Sequence, residues 1–111
     1  MTKIIFIVLG LVSFAFSMDE INEADCLIIK EENSIICKYS AQREIEDKFI
    51  DVEWIDPEGD ISRSRKIIMP SGHGSVYDFR YINGRMPGIW TFKVVDKDKT
   101  FTTNFELTFE E

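Results

Sequence analysis

The sequence predicts an all-β domain of about seven short strands, arranged as a sandwich or, in the alternative, a small barrel. Three observations carry this. After residue 25, apolar and polar residues alternate with period two, as they do in strands with one buried face. Turn-forming groups interrupt the alternation at Glu31-Glu32-Asn33, Asp56-Pro57-Glu58-Gly59, Asn83-Gly84, Pro87-Gly88 and Asp96-Lys97-Asp98-Lys99. A turn roughly every ten residues is the spacing of sandwiches and small barrels. No stretch beyond residue 17 has a convincing helical pattern.

The chain opens on Met1-Thr2-Lys3, then an apolar run from Ile4 to Phe16, with Ala15 and Ser17 as small residues at a cleavage site. This is the pattern of a secretory signal peptide. At thirteen residues the run is short of the roughly 20 that a spanning helix needs. Residues 1–17 are therefore expected to be a signal peptide, 18–24 a flexible N-terminal segment, and 25–111 the domain. The expected location is periplasmic or extracellular, with no stable membrane insertion once the signal is removed.

Cys26 to Lys30 and Ser34 to Ser40 read as a hairpin with one cysteine on each arm. Ala41 to Lys48 is a polar break with room for one helical turn. Phe49 to Ile55 puts Ile50, Val52 and Trp54 on one face, and Asp56-Pro57-Glu58-Gly59 ends it, proline presetting φ and glycine allowing positive φ. Ile61 to Met69 sets Arg63 and Arg65 opposite Ser62 and Ser64 with no apolar face there, the mark of an edge strand defended by charge. Pro70-Ser71-Gly72-His73-Gly74 reads as a flexible loop. Ser75 to Ile82 is expected to turn Tyr77, Phe79 and Tyr81 toward the core and Asp78 and Arg80 away from it. Trp90, Phe92 and Val94 share a face of the next strand. The last strand alternates Phe101, Thr103, Phe105, Leu107 and Phe109 against Thr102, Asn104, Glu106 and Thr108. The aromatics on these faces, Trp54, Trp90, Tyr77, Phe79, Phe92, Phe101 and Phe105, are expected to form the core, since so small a domain needs them inside.

The chain has 111 residues and a formal net charge of −7; without residues 1–17, which carry Lys3 and no acid, the charge is −8. An acidic surface argues against nucleic acid and anionic lipid as partners. The exception is residues 61–85, where Arg63, Arg65, Lys66, Arg80 and Arg85 face only Asp78. These arginines are either a docking patch for an acidic partner or edge charges answering acids on neighbouring strands. Cys26 and Cys37 are the only cysteines. Export and an even count point to a disulfide, worth about 3 kcal/mol for a loop of this length, with two buried free thiols as the alternative.

Ile35-Ile36-Cys37-Lys38-Tyr39 resembles the second strand of an immunoglobulin-like sandwich, with Cys37 at its core-cysteine position and Trp54 at the tryptophan of the third strand. Gly88-Ile89-Trp90-Thr91-Phe92 is similar to the G-x-Y-x-C run of the sixth strand, with Trp90 for tyrosine and Phe92 for cysteine. That departure removes the inter-sheet disulfide and leaves Cys37 to pair with Cys26 within a sheet. A closer similarity is to the small immunoglobulin-like domains of exported bacterial proteins. It rests on Trp54-Ile55-Asp56-Pro57-Glu58-Gly59 and on the closing hairpin from Pro87-Gly88-Ile89-Trp90 to Phe105-Glu106-Leu107, and spans residues 25–109. It implies an architecture, not an activity.

No catalytic set is legible. His73 is the single histidine, flanked by Ser71 and Ser75 in a glycine-rich loop, poor geometry for a triad whose base must be held by a third group. Asp56, Glu58 and Asp60 alternate oxygens around a turn, but lack the spacing and closing glutamate of an EF-hand, and the turn alone explains them. No cofactor or metal is expected. Small exported β-proteins that inhibit lysozymes insert a serine-glycine loop with a nearby tyrosine; Ser71 to Tyr77 is loosely similar, with a different spacing. The function expected is a non-catalytic, secreted or periplasmic protein-interaction or accessory module. The alternatives are an inhibitor of an extracytoplasmic hydrolase such as lysozyme and a small-ligand carrier. The candidate partner-binding residues are Arg63, Arg65, Arg80, Arg85, Ser71, His73 and Ser75.

Overall fold

A computed structural model describes residues 22–109; the expected signal peptide, residues 1–17, and residues 18–21 of the expected N-terminal segment lie outside the described residues. Seven strands follow one another: β1 (Glu23–Ile29), β2 (Ser34–Ser40), β3 (Lys48–Ile55), β4 (Ile61–Met69), β5 (Ser75–Tyr81), β6 (Gly88–Asp96) and β7 (Lys99–Leu107). They form two antiparallel sheets, one ordered β1-β2-β5 and the other β4-β3-β6-β7. Two sheets packed face to face make this a β-sandwich rather than a closed barrel. First, second and fifth strands in one layer and third, sixth and seventh in the other is immunoglobulin-like connectivity, with the fourth strand added to the second layer.

The core is the period-two set. Ile50, Val52 and Trp54 from β3, Trp90, Phe92 and Val94 from β6, and Phe105 and Leu107 from β7 face Ile35, Cys37 and Tyr39 from β2. Trp54 meets Phe92 and Phe105 edge-on, at 5.4 and 5.9 Å between ring centres, and Trp90 stacks on Phe105. Cys26 and Cys37 stand directly opposite each other in the β1–β2 register and are joined by a disulfide, within one sheet as the resemblance implies. Gly88 opens the closing hairpin because nothing larger fits there. Its φ is +127°, and a Cβ would come within 2.8 Å of the Pro57 ring. The Pro57 turn and the Pro87-Gly88 corner are thus one packed unit.

Several sequence expectations are corrected. Residues 41–47 contain no helical turn; the short helical segment is a 3-10 turn at Lys30–Glu32, closed by Asn33 in the left-handed region. β1 begins at Glu23, inside the stretch expected to be a flexible lead, and Phe109 lies beyond β7 and is exposed. The main correction concerns β5, which has the opposite phase. Val76 and Asp78 are buried, while Tyr77, Phe79 and Tyr81 are 57%, 42% and 58% exposed. Pairing with β2 places Asp78 beside Cys37 and Phe79 beside Ile36. The inward carboxylate is satisfied by Trp54 and Arg65, and a one-residue phase change carries every aromatic of the strand outward.

Candidate interaction surface

The fold brings four of the sequence-predicted residues together. β4 and β5 are edge strands of different sheets on the same side of the sandwich. Register places Arg63 opposite Trp54 and Arg65 opposite Val52, so both side chains enter on the core side of β4. There they meet Asp78, which is 3% exposed. Asp78 Oδ2 accepts from Trp54 Nε1 at 2.7 Å; Oδ1 accepts from Arg65 Nη1 at 2.8 Å and from the Phe79 N–H at 3.1 Å. Arg63 Nε lies 3.8 Å from Oδ2, while its Nη1 donates to the Phe79 carbonyl. Arg80 crosses the face of Trp54 at 5.3 Å and donates to Ser62 Oγ. Arg85 donates to the Tyr81 carbonyl at 3.2 Å.

These contacts separate the two readings of the basic segment. Arg65, and Arg63 more loosely, answer a buried acid on a neighbouring strand. Arg80 and Arg85 bond instead to the neutral Ser62 Oγ and Tyr81 carbonyl, so an excess of positive charge remains at the edge. Burial lowers the Arg80 pKa from its ordinary value, and repulsion from Arg85 and Arg63 adds to this, with Asp78 opposing. Lys66 is held apart by Asp51 on the outer face of the four-stranded sheet.

Beside this edge lies the feature that the sequence reading missed. The outer face of the three-stranded sheet presents Tyr77, Phe79 and Tyr81 in line along β5, with Ile36 and Leu27 opposite Phe79 across the sheet. Leu27 is 61% exposed, and Phe79 meets Tyr81 edge-on at 5.1 Å. A shallow pocket of about 250 Å³ between Asp25, Leu27, Ile36, Lys38 and Tyr77 continues the face. The sequence held only a partial signal, an aspartate in the middle of an aromatic strand; the tryptophan that needs it as acceptor is 24 residues away.

Ser71, His73 and Ser75 make no bond to the arginines. Ser71 and His73 sit past the Met69 end of β4, and Ser75 opens β5 three residues from Asp78, about 10 Å along the strand. The loop is a hydrogen-bonded turn. His73 N–H donates to the Pro70 carbonyl, with Gly72 between them at φ +81°. Asp47, Glu44 and Arg43 bond to Ser71 and Gly72 and tie the turn to residues 43–47. Ser71 and His73 are exposed and Ser75 is half-buried. Asp56 Oδ1 accepts the N–H groups of Glu58 and Asp60, so its carboxylate is committed to the turn. Among the described residues, no three His, Cys, Asp or Glu side chains gather to hold a metal ion.

A second buried acid organises the same end of the molecule as this loop. Asp96 Oδ2 accepts from Tyr39 at 2.7 Å and from Lys48 at 3.0 Å, and Lys48 also pairs with Glu44, which pairs with Lys97. Burial and the bond to Asp96 raise the Tyr39 pKa well above the ordinary tyrosine value. Burial pulls the Lys48 pKa down, but bonds to Glu44 and Asp96 outweigh it and the net shift is upward. Bonds to Lys48 and Lys97 hold Glu44 below the ordinary carboxylate value.

No family model matches this chain, and no curated protein matches it.

Proposed function

We propose that the chain is an exported, non-catalytic protein-interaction module that engages its partner through the outer face of the three-stranded sheet and the adjoining arginine edge. The observation that carries this is the row Tyr77, Phe79 and Tyr81 turned into solvent beside Leu27. A small acidic domain has every reason to bury such side chains, and a contiguous exposed apolar face is how interaction sites are marked. Tyrosine and arginine are also the residues that dominate binding hot spots. Export is supported by the cationic, apolar start of the sequence and by the Cys26–Cys37 disulfide.

The test is partner capture from an envelope fraction, comparing wild type with Phe79→Ser and Tyr81→Ser, and with a Ser71→Ala, His73→Ala pair. Loss with the sheet-face variants alone supports the proposal. Loss with the loop pair alone, and a hydrolase as the captured protein, would replace it with the inhibitor reading. Equal capture by all variants would sink both.

A further inference from the structure

A sandwich of two open sheets has four edges; two of them, β5 and β4, are defended here, and on a third, β1, one outward group is taken. On β1 the outward N–H of Cys26 is taken by Asp25 Oδ1 at 3.0 Å. On β5, Asp78 takes the N–H of Phe79, Arg63 its carbonyl, and Arg85 the carbonyl of Tyr81. β4 carries the inward-pointing Arg63 and Arg65 and a break of register at Ser62, where its pairing passes from Trp54↔Arg63 to Ile55↔Ile61, both recognised defences of an edge. β7 has none of these. It is nine residues long and pairs with β6 in unbroken register from Gly88↔Leu107 to Asp96↔Lys99. Between Thr100 and Phe105 it holds no charge and no proline. Among the described residues, no side chain bonds to its backbone, and no backbone bond joins it to β1 in the other layer.

The hairpin geometry says which groups are free. The two-residue turn makes Asp96 and Lys99 a hydrogen-bonded pair, so the odd residues of β7 bond to β6 and the even ones turn outward. Thr100, Thr102, Asn104 and Glu106 therefore present their N–H and C=O groups along the open edge, and all four are exposed.

We propose that β7 pairs antiparallel with β7 of a second copy, across a two-fold axis at Thr103, joining the two four-stranded sheets into one continuous sheet. Thr103 is the middle residue of the strand. That register sets Thr102 opposite Asn104 and Thr100 opposite Glu106 on the outer face, and Phe101 opposite Phe105 on the core side. Every outward group then finds a partner, and no like charges stand opposite each other. The second copy is favoured over a foreign strand because the edge is complementary to itself. It is also locally almost uncharged in a chain of net charge −7, so two copies can approach here without meeting each other's acids. Phe101, half-buried in the single chain, gains cover.

The test is sedimentation velocity of the oxidised chain over micromolar to low-millimolar concentration, with amide hydrogen exchange at both extremes. Reversible doubling of mass is expected, with the Thr102 and Asn104 amides protected only at the concentrated end. Thr102→Pro removes an outward N–H without touching the β6 ladder; it should abolish the doubling and leave the melting temperature nearly unchanged. If that variant fails to fold, the exchange pattern of the wild type decides. A monomer at every concentration overturns the proposal. So does a dimer whose Thr102 and Asn104 amides exchange as in the monomer. Protection of those amides only on adding a synthetic extended peptide, with the chain monomeric throughout, would also overturn it in favour of a donated strand.

Discussion

Removing the carboxylate of Asp78 is the sharpest perturbation of the arginine edge. Asp78→Ala deletes the acceptor of a buried Trp54 N–H at 2.7 Å and the partner of Arg65 at 2.8 Å. A hydrogen bond to a charged group contributes about 1.5–3 kcal/mol, and a buried donor left unpaired costs about 1–3 kcal/mol more. Arg65 is 46% exposed and returns to water, so its loss adds little. The sum is about 3–5 kcal/mol, the range for breaking a buried pair, and a fall in melting temperature on the order of 20 °C for a domain of this size. Asp78→Asn keeps an acceptor for Trp54 and should cost about 1–2 kcal/mol; Arg65→Met should cost about 1 kcal/mol or less. Urea denaturation followed by tryptophan fluorescence gives all three. The reasoning fails if Asp78→Ala lies within about 1 kcal/mol of wild type, or if Arg65→Met costs as much. The same geometry means that Arg63→Glu with Arg65→Glu cannot be a purely superficial change. It sets two carboxylates against a buried third, and must lower stability as well as alter the surface.

Gly88→Ala should destabilise by about 2 kcal/mol, because the new Cβ meets Pro57 and the backbone has positive φ; unchanged stability in denaturant would mean the proline ring moves aside. Trp90→Ala should cost about 3–5 kcal/mol as a large deletion in a packed interior, and a value under 1 would remove it from the core. Cys37→Ser should cost about 2–4 kcal/mol, read against wild type with and without reductant. The raised pKa values of Tyr39 and Lys48 make stability constant below their unfolded-state values and let it fall as pH rises past about 10. Tyr39→Phe should flatten part of that alkaline slope, and an unchanged slope would remove Tyr39 as its source. Glu44, held low, contributes in the opposite sense: its share is present above its ordinary value of 4.5 and is lost as pH falls below it.

Period-two alternation and turn chemistry made the strands legible, because both report a local property: which side of a short extended segment is apolar. β4 was read with its bounds intact, and the pairing of Cys26 with Cys37 followed from two arms of one hairpin. β5 failed because its alternation is a conflict between two rules. Aromatics favour the interior, yet an interior Trp54 requires an acceptor for its indole N–H, and only Asp78 supplies it. The long-range partner decided the phase, and no local pattern contains it. For the same reason the arginines were recognisable as an edge, but their shared carboxylate and the solvent-facing aromatic row beside them were not.

The arginine edge and the β7 edge lie on opposite sides of the sandwich, and the aromatic row stands on the strand nearer the arginines. β4 and β5 bound one side, with the arginines and the aromatic row, while β7 and β1 bound the other. A dimer built on β7 would therefore leave both copies of the partner face open on one side of the joined sheet, with an arginine edge at each of its two ends. One face by itself holds one partner, with an affinity set by that contact alone. Two faces fixed on one rigid sheet raise the affinity for a multivalent surface without any new contact, because the second engagement becomes intramolecular and apparent affinity can rise by about 10²-fold or more. Binding to a surface that displays many copies of the partner should then fall steeply in Thr102→Pro, although each face is intact. Binding to the same partner held singly should not change. An equal loss in the two formats would mean that β7 itself contacts the partner, and that strand pairing and partner binding compete for one edge.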